Sequence, residues 1–411
     1  MTGGILDGVR VADFSMGWAG PLLTQCLADH GADVIKVESC TRTDWWRNSR
    51  ALFADGPEQL ECSWEQQPLF NAVNEGKRGI TLDLASAEGN RLARALVATV
   101  DLVVENYTPR VMGNLGLGWD VLSGERPGLI MVSLPAFGST GPWSAYKATA
   151  FVTESLAGVS SRCGYADEAP MLLSGSPADP NSGVIGALSV ALALRHRRRT
   201  GEGQHIEVSQ VEALMPHVGA ELLGVAATGV VPPRTGNARA HGGPRGVYPV
   251  RGEDRWIAVD ADTDARWAAL ASLLGLDEPA WNSPAARAAD HARLDGRVAT
   301  WTRERDGAEA VAALQAAGVP AAPVQNAADV LDDPHVVATG LFHTSERAHV
   351  GEKPYPGPVL RMSRSTLTPR TPAPTLGEHN AEVLGGLLGL DDAELAALAD
   401  QGVIGTRPVG T

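Results

Sequence analysis

Apolar residues in the first forty positions fall into two short runs, GVRVADF and ADVIKVE. They are separated by a mixed segment in which Pro21 stands where a helix begins and Gly31 where it closes. Strand, helix and strand within about thirty residues predict a parallel β-α-β unit. The alternation recurs as GITLDL, a helix around Ala87–Thr99, DLVVEN and LIMVSL, which extends the expectation to an open α/β sheet. Around Val230–Gly246 the composition turns to Pro, Gly, Arg and His. Beyond it, GVYPVRGEDRWIAVDA predicts a β-hairpin, followed by Ala-rich helices between 264 and 317. After DDPH the chain is rich in Pro and Gly through YPGP and TPRTPAPTLGEHN, and it ends in one or two helices from Asn380. A tail with so little periodicity must lie over other parts of the protein. The expected division is 1–225 for a large α/β domain, 226–335 for a smaller α+β domain, and 336–411 for a segment returning to the first. No repeat of fixed period is present.

With 411 residues and 44% hydrophobic content, the chain can bury one large core or two smaller ones. A formal charge of -14 argues against nucleic acid or an anionic membrane surface as partner, because the mean field repels polyanions. The four cysteines show neither CxxC nor zinc-type spacing, so reduced thiols are expected. The N-terminus MTGGILDGVR lacks the apolar core of a signal peptide, and no run of about 18 apolar residues occurs. A cytoplasmic protein is expected.

The first candidate site is the loop Ser15–Gly20 (SMGWAG), between the first strand and its helix, with Glu38 at the end of the second strand. A helix N-terminus there offers free N–H groups to a phosphate. Gly17 and Gly20 do not make a dinucleotide fingerprint, and Trp18 would crowd a pyrophosphate, so a nicotinamide enzyme is disfavoured. Taken alone, the loop is better read as a plain turn at the sheet edge. The second candidate joins NEGKRGITLDL (Asn74–Leu84) to ENYTPRVMGNLG (Glu105–Gly116): Lys77, Arg78 and Arg110 carry charge for phosphates, and Tyr107 offers a wall to an adenine ring. A Lys-Arg pair before a strand is otherwise a solvated turn. The run Arg195, Arg197, Arg198 and Arg199 before Gly201 reads as a helix C-terminus, where cations complement the dipole and glycine stops the helix. His335 beside Asp332 and Asp333 reads as a turn, and no metal ligand set is apparent.

From Phe137 to Leu214 the segments FGSTGPW, KATAFVTESLAG and SPADPNSGVIGALSVALALRHRRRTGEGQHIEVSQVEAL follow one another. With DFSMGWAG, NEGKRG, ENYTPR, GVPAAPV, DDPH, YPGP and LGEHN, they resemble the family III coenzyme A transferases over nearly the whole chain. The resemblance implies a Rossmann-like large domain built from both chain ends, a small central domain and an intertwined dimer. It implies coenzyme A or an acyl-CoA as substrate together with a carboxylic acid, and no metal. Its cofactor-binding positions fall on Gly17, Trp18, Lys77, Arg78, Leu82, Asn106, Tyr107, Arg110, Asn114 and Leu115. Where the family often has arginine, Asn114 stands, and Arg110 lies one turn earlier. Trp18 occupies a position that is often small and polar, where it narrows the pocket, stacks on an aromatic acyl group or packs in the core. Gly242 and Gly243 in HGGPRG are a mobile loop near the site or a plain linker.

In the family an aspartate attacks the donor thioester, passes through a mixed anhydride and carries coenzyme A as an enzyme thioester. The register of Phe137, Gly138, Gly141, Pro142 and Gly158 puts Ala150 at that position. Glu154, one helical turn on, is the candidate replacement. Its backbone is offset by roughly 6 Å, whereas attack needs about 3–3.5 Å. The pattern is similar to family members that pair with an Asp-bearing homologue, as in two-subunit transferases of benzylsuccinate-type acids. The expected function is therefore coenzyme A transfer between carboxylic acids as the Asp-lacking subunit of a heteromer. The alternatives are a non-catalytic CoA-binding regulator and an acyl-CoA enzyme using Glu154. Racemisation, which needs a His and an Asp, is disfavoured: Ala150 removes the Asp, and no histidine lies between His30 and His196.

Overall fold

The computed structural model describes residues 4–48, 62–237, 242–365, 367 and 370–410. The chain forms two compact units. The first comprises Met1–Ser160, Leu172–Val230 and Gly340–Thr411, and the second Ser161–Met171 and Val231–Thr339.

The first unit is built on six parallel strands: β1 (Arg10–Asp13), β2 (Asp33–Glu38), β3 (Arg78–Thr81), β4 (Leu102–Glu105), β5 (Ile130–Ser133) and β6 (Gln204–Glu207). Their order is β3-β2-β1-β4-β5-β6, the doubly wound arrangement in which the direction of strand addition reverses between β1 and β4. Every residue of β4 and β5 is buried, as expected for strands covered on both faces. One face packs Ile35, Val103 and Met131 against Leu92, Leu96, Leu384 and Leu398. The other packs Val11, Val104 and Val132 against Leu23, Leu27 and Val190. On that second face, helix Ala178–Thr200 lies close on helix Ala19–Asp29 because Gly183 and Gly186 present no side chain: a Cβ at Gly186 would sit 2.4 Å from Leu23 Cδ1. The long helix ends at Gly201 in the left-handed region, its N–H bonding Arg197 O, as the arginine run predicted.

In the second unit, β7 (Arg245–Pro249), β8 (Trp256–Asp260) and β9 (Ala321–Val324) form an antiparallel sheet in that order. Ile257 and Val259 pack against Leu270, Leu294, Val298 and Leu314 from helices Asp264–Leu274, His291–Arg303 and Gly307–Ala316. Gly242 and Gly243 abut the end of β8, where a Cβ at Gly243 would meet Ala261 O at 1.9 Å. Both are packed positions at the entry to the sheet. His241 lies outside the described residues.

The returning segment opens with a hairpin that its proline-rich sequence did not suggest, β10 (Phe342–Arg347) with β11 (Gly351–Pro356). It is tied to the N-terminal part of the first unit by buried charges. Arg347 pairs with Glu65 at 2.7 Å, and Arg370 grips Asp29 at 2.6 and 2.7 Å and Glu75 at 3.2 Å. Further on, the Thr81 N–H donates to Asn380 Oδ1 at 2.8 Å. Among the described residues no helix is long and apolar enough to cross a membrane.

Candidate functional site

Parallel strands leave their loops splayed apart where the sheet order reverses, and ligands bind beyond the carboxyl ends there. In this chain those loops follow β1 and β4, and Asn106 joins them. Its Oδ1 accepts from the Met16 N–H at 2.9 Å, and its Nδ2 donates to Met16 O at 2.7 Å. The rest of the Ser15–Gly20 loop is held from beneath by buried charge. The Asp13 carboxylate accepts from Ser15 N–H at 3.0 Å, from the Ser15 hydroxyl, from Thr24 Oγ1 at 2.6 Å and from Lys77 Nζ at 3.1 Å. Lys36 Nζ donates to Ser15 O at 2.9 Å and pairs with Asp44 at 3.0 Å, and both Asp44 oxygens take the Gly17 N–H at 3.1 Å. Gly17 has φ +73°, a conformation that glycine adopts without penalty.

These charges perturb one another. Burial acts to raise the Asp13 carboxyl, but Lys77 and Lys36 with two hydroxyl bonds outweigh it and hold the pKa below the ordinary range. Burial, helped by the Lys36 charge, brings Lys77 down to about 8 against the pull of Asp13. The Lys77 ammonium donates to Asp13, to Pro21 O at 2.8 Å and to Asn74 Oδ1 at 2.9 Å, so its three protons are spent inside the protein. Arg78 is turned toward the amino ends of the strands, where it grips Asp33 at 2.7 Å and Glu382 at 2.9 Å. In this structure both residues are held in ion pairs within the protein.

Beyond the ends of β2, β3 and β4 lies a cavity of about 160 Å³. Met16, Leu82, Tyr107, Val111 and Leu115 give it an apolar wall, and Arg42 stands at its side. Arg42 is exposed and has no ion pair among the described residues, which makes it the cation available to an anionic ligand here. Of the residues expected from the sequence, Leu82, Tyr107 and Leu115 line this cavity, while Gly17 follows the lining residue Met16 and Asn106 bonds the Met16 backbone. Arg110 and Asn114 are exposed on the short helix Arg110–Asn114, which also carries Val111. Trp18 is half-buried against Trp46, with ring centroids 5.6 Å apart. Arg42 was not anticipated. The signal that could have found it is its place in the loop after the second strand, SCTRTD, beside the carboxyl ends of the sheet.

Behind Tyr107, Glu105 is buried at the end of β4 and accepts the Tyr107 N–H at 2.8 Å. Burial pushes its carboxyl up to about 7, with Ser133 and the Tyr107 N–H acting the other way and Glu207 adding to the rise. Ser133 Oγ in turn lies 2.9 Å from His205 Nε2.

Helix Ala150–Leu156 starts with Ala150 itself, only 8% exposed. Glu154 follows one turn later and is fully buried. Neither of its oxygens has a hydrogen-bond partner among the described residues, and burial raises its pKa more than the Leu173 backbone lowers it. A carboxyl left so is costly as an anion. Ala150 thus presents a methyl group at the start of its helix, one turn before a buried carboxyl with no ion pair among the described residues.

Residues 6–380 match the family model described as CoA-transferase family III. The chain is 31% identical to succinyl-CoA--D-citramalate CoA-transferase of Chloroflexus aurantiacus over 404 residues, covering 97% of this chain and 98% of that one. It is 32% identical over 409 residues to the succinyl-CoA--L-malate CoA-transferase beta subunit of the same organism, covering 97% and 98%. The crystal structure of a CAIB/BAIF family protein from Brucella suis superposes with a TM-score of 0.84 at 30% identity, over 94% of this chain and all of that one. With a match through both chain ends and the doubly wound sheet, the chain belongs to CoA-transferase family III, enzymes that move coenzyme A between carboxylic acids.

Proposed function

We propose that this chain takes part in coenzyme A transfer between carboxylic acids as the subunit that lacks the acyl-accepting aspartate, working with an Asp-bearing homologue. The observation that carries the reading is Ala150 at the first position of its helix. A methyl group has no oxygen to attack a thioester carbon or to leave again with coenzyme A, so that carboxylate must come from elsewhere. The cavity beside Met16, Leu82, Tyr107 and Leu115 suits the adenine end of coenzyme A, with Arg42 toward its phosphates and Gly17 and Asn106 shaping the entrance. Arg110 and Asn114 flank it from the neighbouring helix. The reading places the protein in the cytoplasm, where acyl-CoA pools are used.

An assembly is favoured by apolar surface that a lone chain leaves wet. Val184, Leu188 and Leu192 recur at four-residue spacing along helix Ala178–Thr200 and are 58–61% exposed. Helix Gly219–Thr228, GAELLGVAAT, buries none of its residues. Such faces mark protein interfaces and fit an interlocked homodimer or a heteromer. One relative is itself named as a beta subunit, which fits a heteromer.

A second reading, an acyl-CoA enzyme using Glu154, draws on that residue's unpartnered carboxyl. Purified alone and again with an Asp-bearing homologue, the chain is to be assayed for transfer from succinyl-CoA or acetyl-CoA. Activity only in the mixture supports the subunit reading. Activity of the lone chain that Glu154→Gln abolishes overturns it in favour of Glu154. Coenzyme A binding with no turnover in any mixture makes the chain a regulator.

A further inference from the structure

The arginine run at the end of helix Ala178–Thr200 divides on folding. Arg197 turns inward, pairing with Asp101 at 3.1 Å and donating to Gly128 O at 3.2 Å, and with Gly201 it closes the helix. Arg195, Arg198 and Arg199 stay exposed, with no ion pair or hydrogen bond among the described residues. They stand at i, i+3 and i+4, so three like charges crowd one side of the helix within about 6 Å of its axis. One cation there complements the dipole, but the others repel it and each other. Beside them runs a groove of about 530 Å³ floored by Ile5, Leu6, Val9, Ala191 and Leu194, with Ile5 54% exposed. The carboxylates in reach are turned elsewhere. Asp7, which also lines the groove, accepts the Gly4 N–H at 3.1 Å, Asp101 is shared by Arg197 and Arg126, and Glu202 lies 3.7 Å from His196. In a chain of formal charge -14, this is a concentration of positive charge against the mean field.

We propose that this groove is a second ligand site, for a nucleoside diphosphate or a molecule of that chemistry: adjoining phosphates on a flat apolar body. Guanidinium forks match phosphate oxygens, and three of them within little more than one turn exceed what a single monoanion neutralises. The apolar floor covers the ring that the phosphates carry. The volume falls in the range of small-molecule pockets, about 300–1,000 Å³, which favours such a ligand over an acidic protein surface. The site is distinct from the cavity at Arg42. Ile5–Val9 lead into β1 and Arg199 comes shortly before β6, so the groove lies at the amino ends of the strands, whereas the Arg42 cavity lies beyond their carboxyl ends. The proposal goes beyond the coenzyme A reading and does not depend on it.

The test titrates ADP, pyrophosphate and inorganic phosphate into the full chain by calorimetry. ADP is expected to bind most tightly and inorganic phosphate least. Arg195→Ala and Arg198→Ala should each weaken ADP about ten-fold, the loss of one charge-assisted contact. Arg42→Ala should leave an ADP site whose affinity still responds to Arg195 and Arg198. Melting temperatures separate binding from helix capping: Arg198→Ala should not lower the melting temperature, since it relieves repulsion, whereas Arg197→Ala should, since it strands Asp101. Arg198→Lys, which keeps the charge without the fork, should retain part of the affinity. ADP binding that Arg42→Ala abolishes and the other arginines do not touch overturns the groove and leaves the coenzyme A reading standing. Equal affinity for ADP and inorganic phosphate makes the arginines a general anion patch and overturns it too. So does binding of polyglutamate without binding of ADP, which assigns the groove to an acidic protein segment.

Discussion

A side chain at Gly17 would have to start where the indole of Trp45 already lies: a Cβ built there falls 2.3 Å from Trp45 Cζ2. The backbone at Gly17 is also in the left-handed region. Gly17→Ala is therefore expected to cost about 1–3 kcal/mol from the strained backbone and the displaced ring, and to weaken coenzyme A binding. Urea denaturation and calorimetric titration of the same variant check both.

Asp13 and Lys77 should behave as a pair whose halves cannot be removed singly. Breaking a buried ion pair costs about 3–5 kcal/mol because the remaining charge is stranded. Asp13→Asn strands Lys77 beside Lys36 and is expected to fall in that range. Lys77→Met should cost less, since Lys36 still neutralises Asp13, and the double variant should recover part of the Asp13→Asn loss. Denaturant midpoints of the four proteins decide it.

Glu105 predicts a pH slope. Its folded pKa, about 7, lies above the ordinary glutamate range, so between the two the folded chain holds a proton that the unfolded chain has lost. Its contribution is intact below the ordinary range and is lost as pH rises through 7. Glu105→Gln, which keeps an oxygen for the Tyr107 N–H, should flatten stability between pH 5 and 8. Above pH 7 it should gain up to about 3 kcal/mol, at roughly 1.4 kcal/mol per pH unit. Thermal melts across that range measure it.

Arg42→Ala is expected to weaken coenzyme A binding about ten-fold, the loss of one charge-assisted contact, with little change in melting temperature. Arg78→Ala should do the reverse, lowering stability by removing the partner of Glu382 and one of the two arginines on Asp33, which Arg10 still holds at 2.7 Å, while leaving affinity nearly unchanged.

The parallel sheet was legible because β1, β2, β4 and β5 are short apolar runs punctuated by Pro21 and Gly31. β6 was not: QHIE alternates half-buried and exposed positions and carries three polar residues of four. The β10–β11 hairpin was hidden by Pro354 and Pro356, which read as loop. At the site, the loops at Gly17, Leu82, Asn106 and Tyr107 could be found from strand ends alone. The fate of Lys77 and Arg78 could not, since their partners Asp13 and Asp33 lie 64 and 45 positions away and only folding brings those charges together. Arg42 escaped notice because a lone arginine in a polar loop looks solvated until the loop is seen to edge a cavity.

Arg47 and Arg347 share the carboxylate of Glu65, and both also donate to Pro374 O. On the ribosome, residues 47 and 65 emerge some three hundred positions before residue 347. Until synthesis is nearly finished, the N-terminal half must carry its partly neutralised interior without the C-terminal hairpin. The nascent chain thus completes its large unit only late in translation, and a message truncated before codon 374 would yield a polypeptide unable to close it.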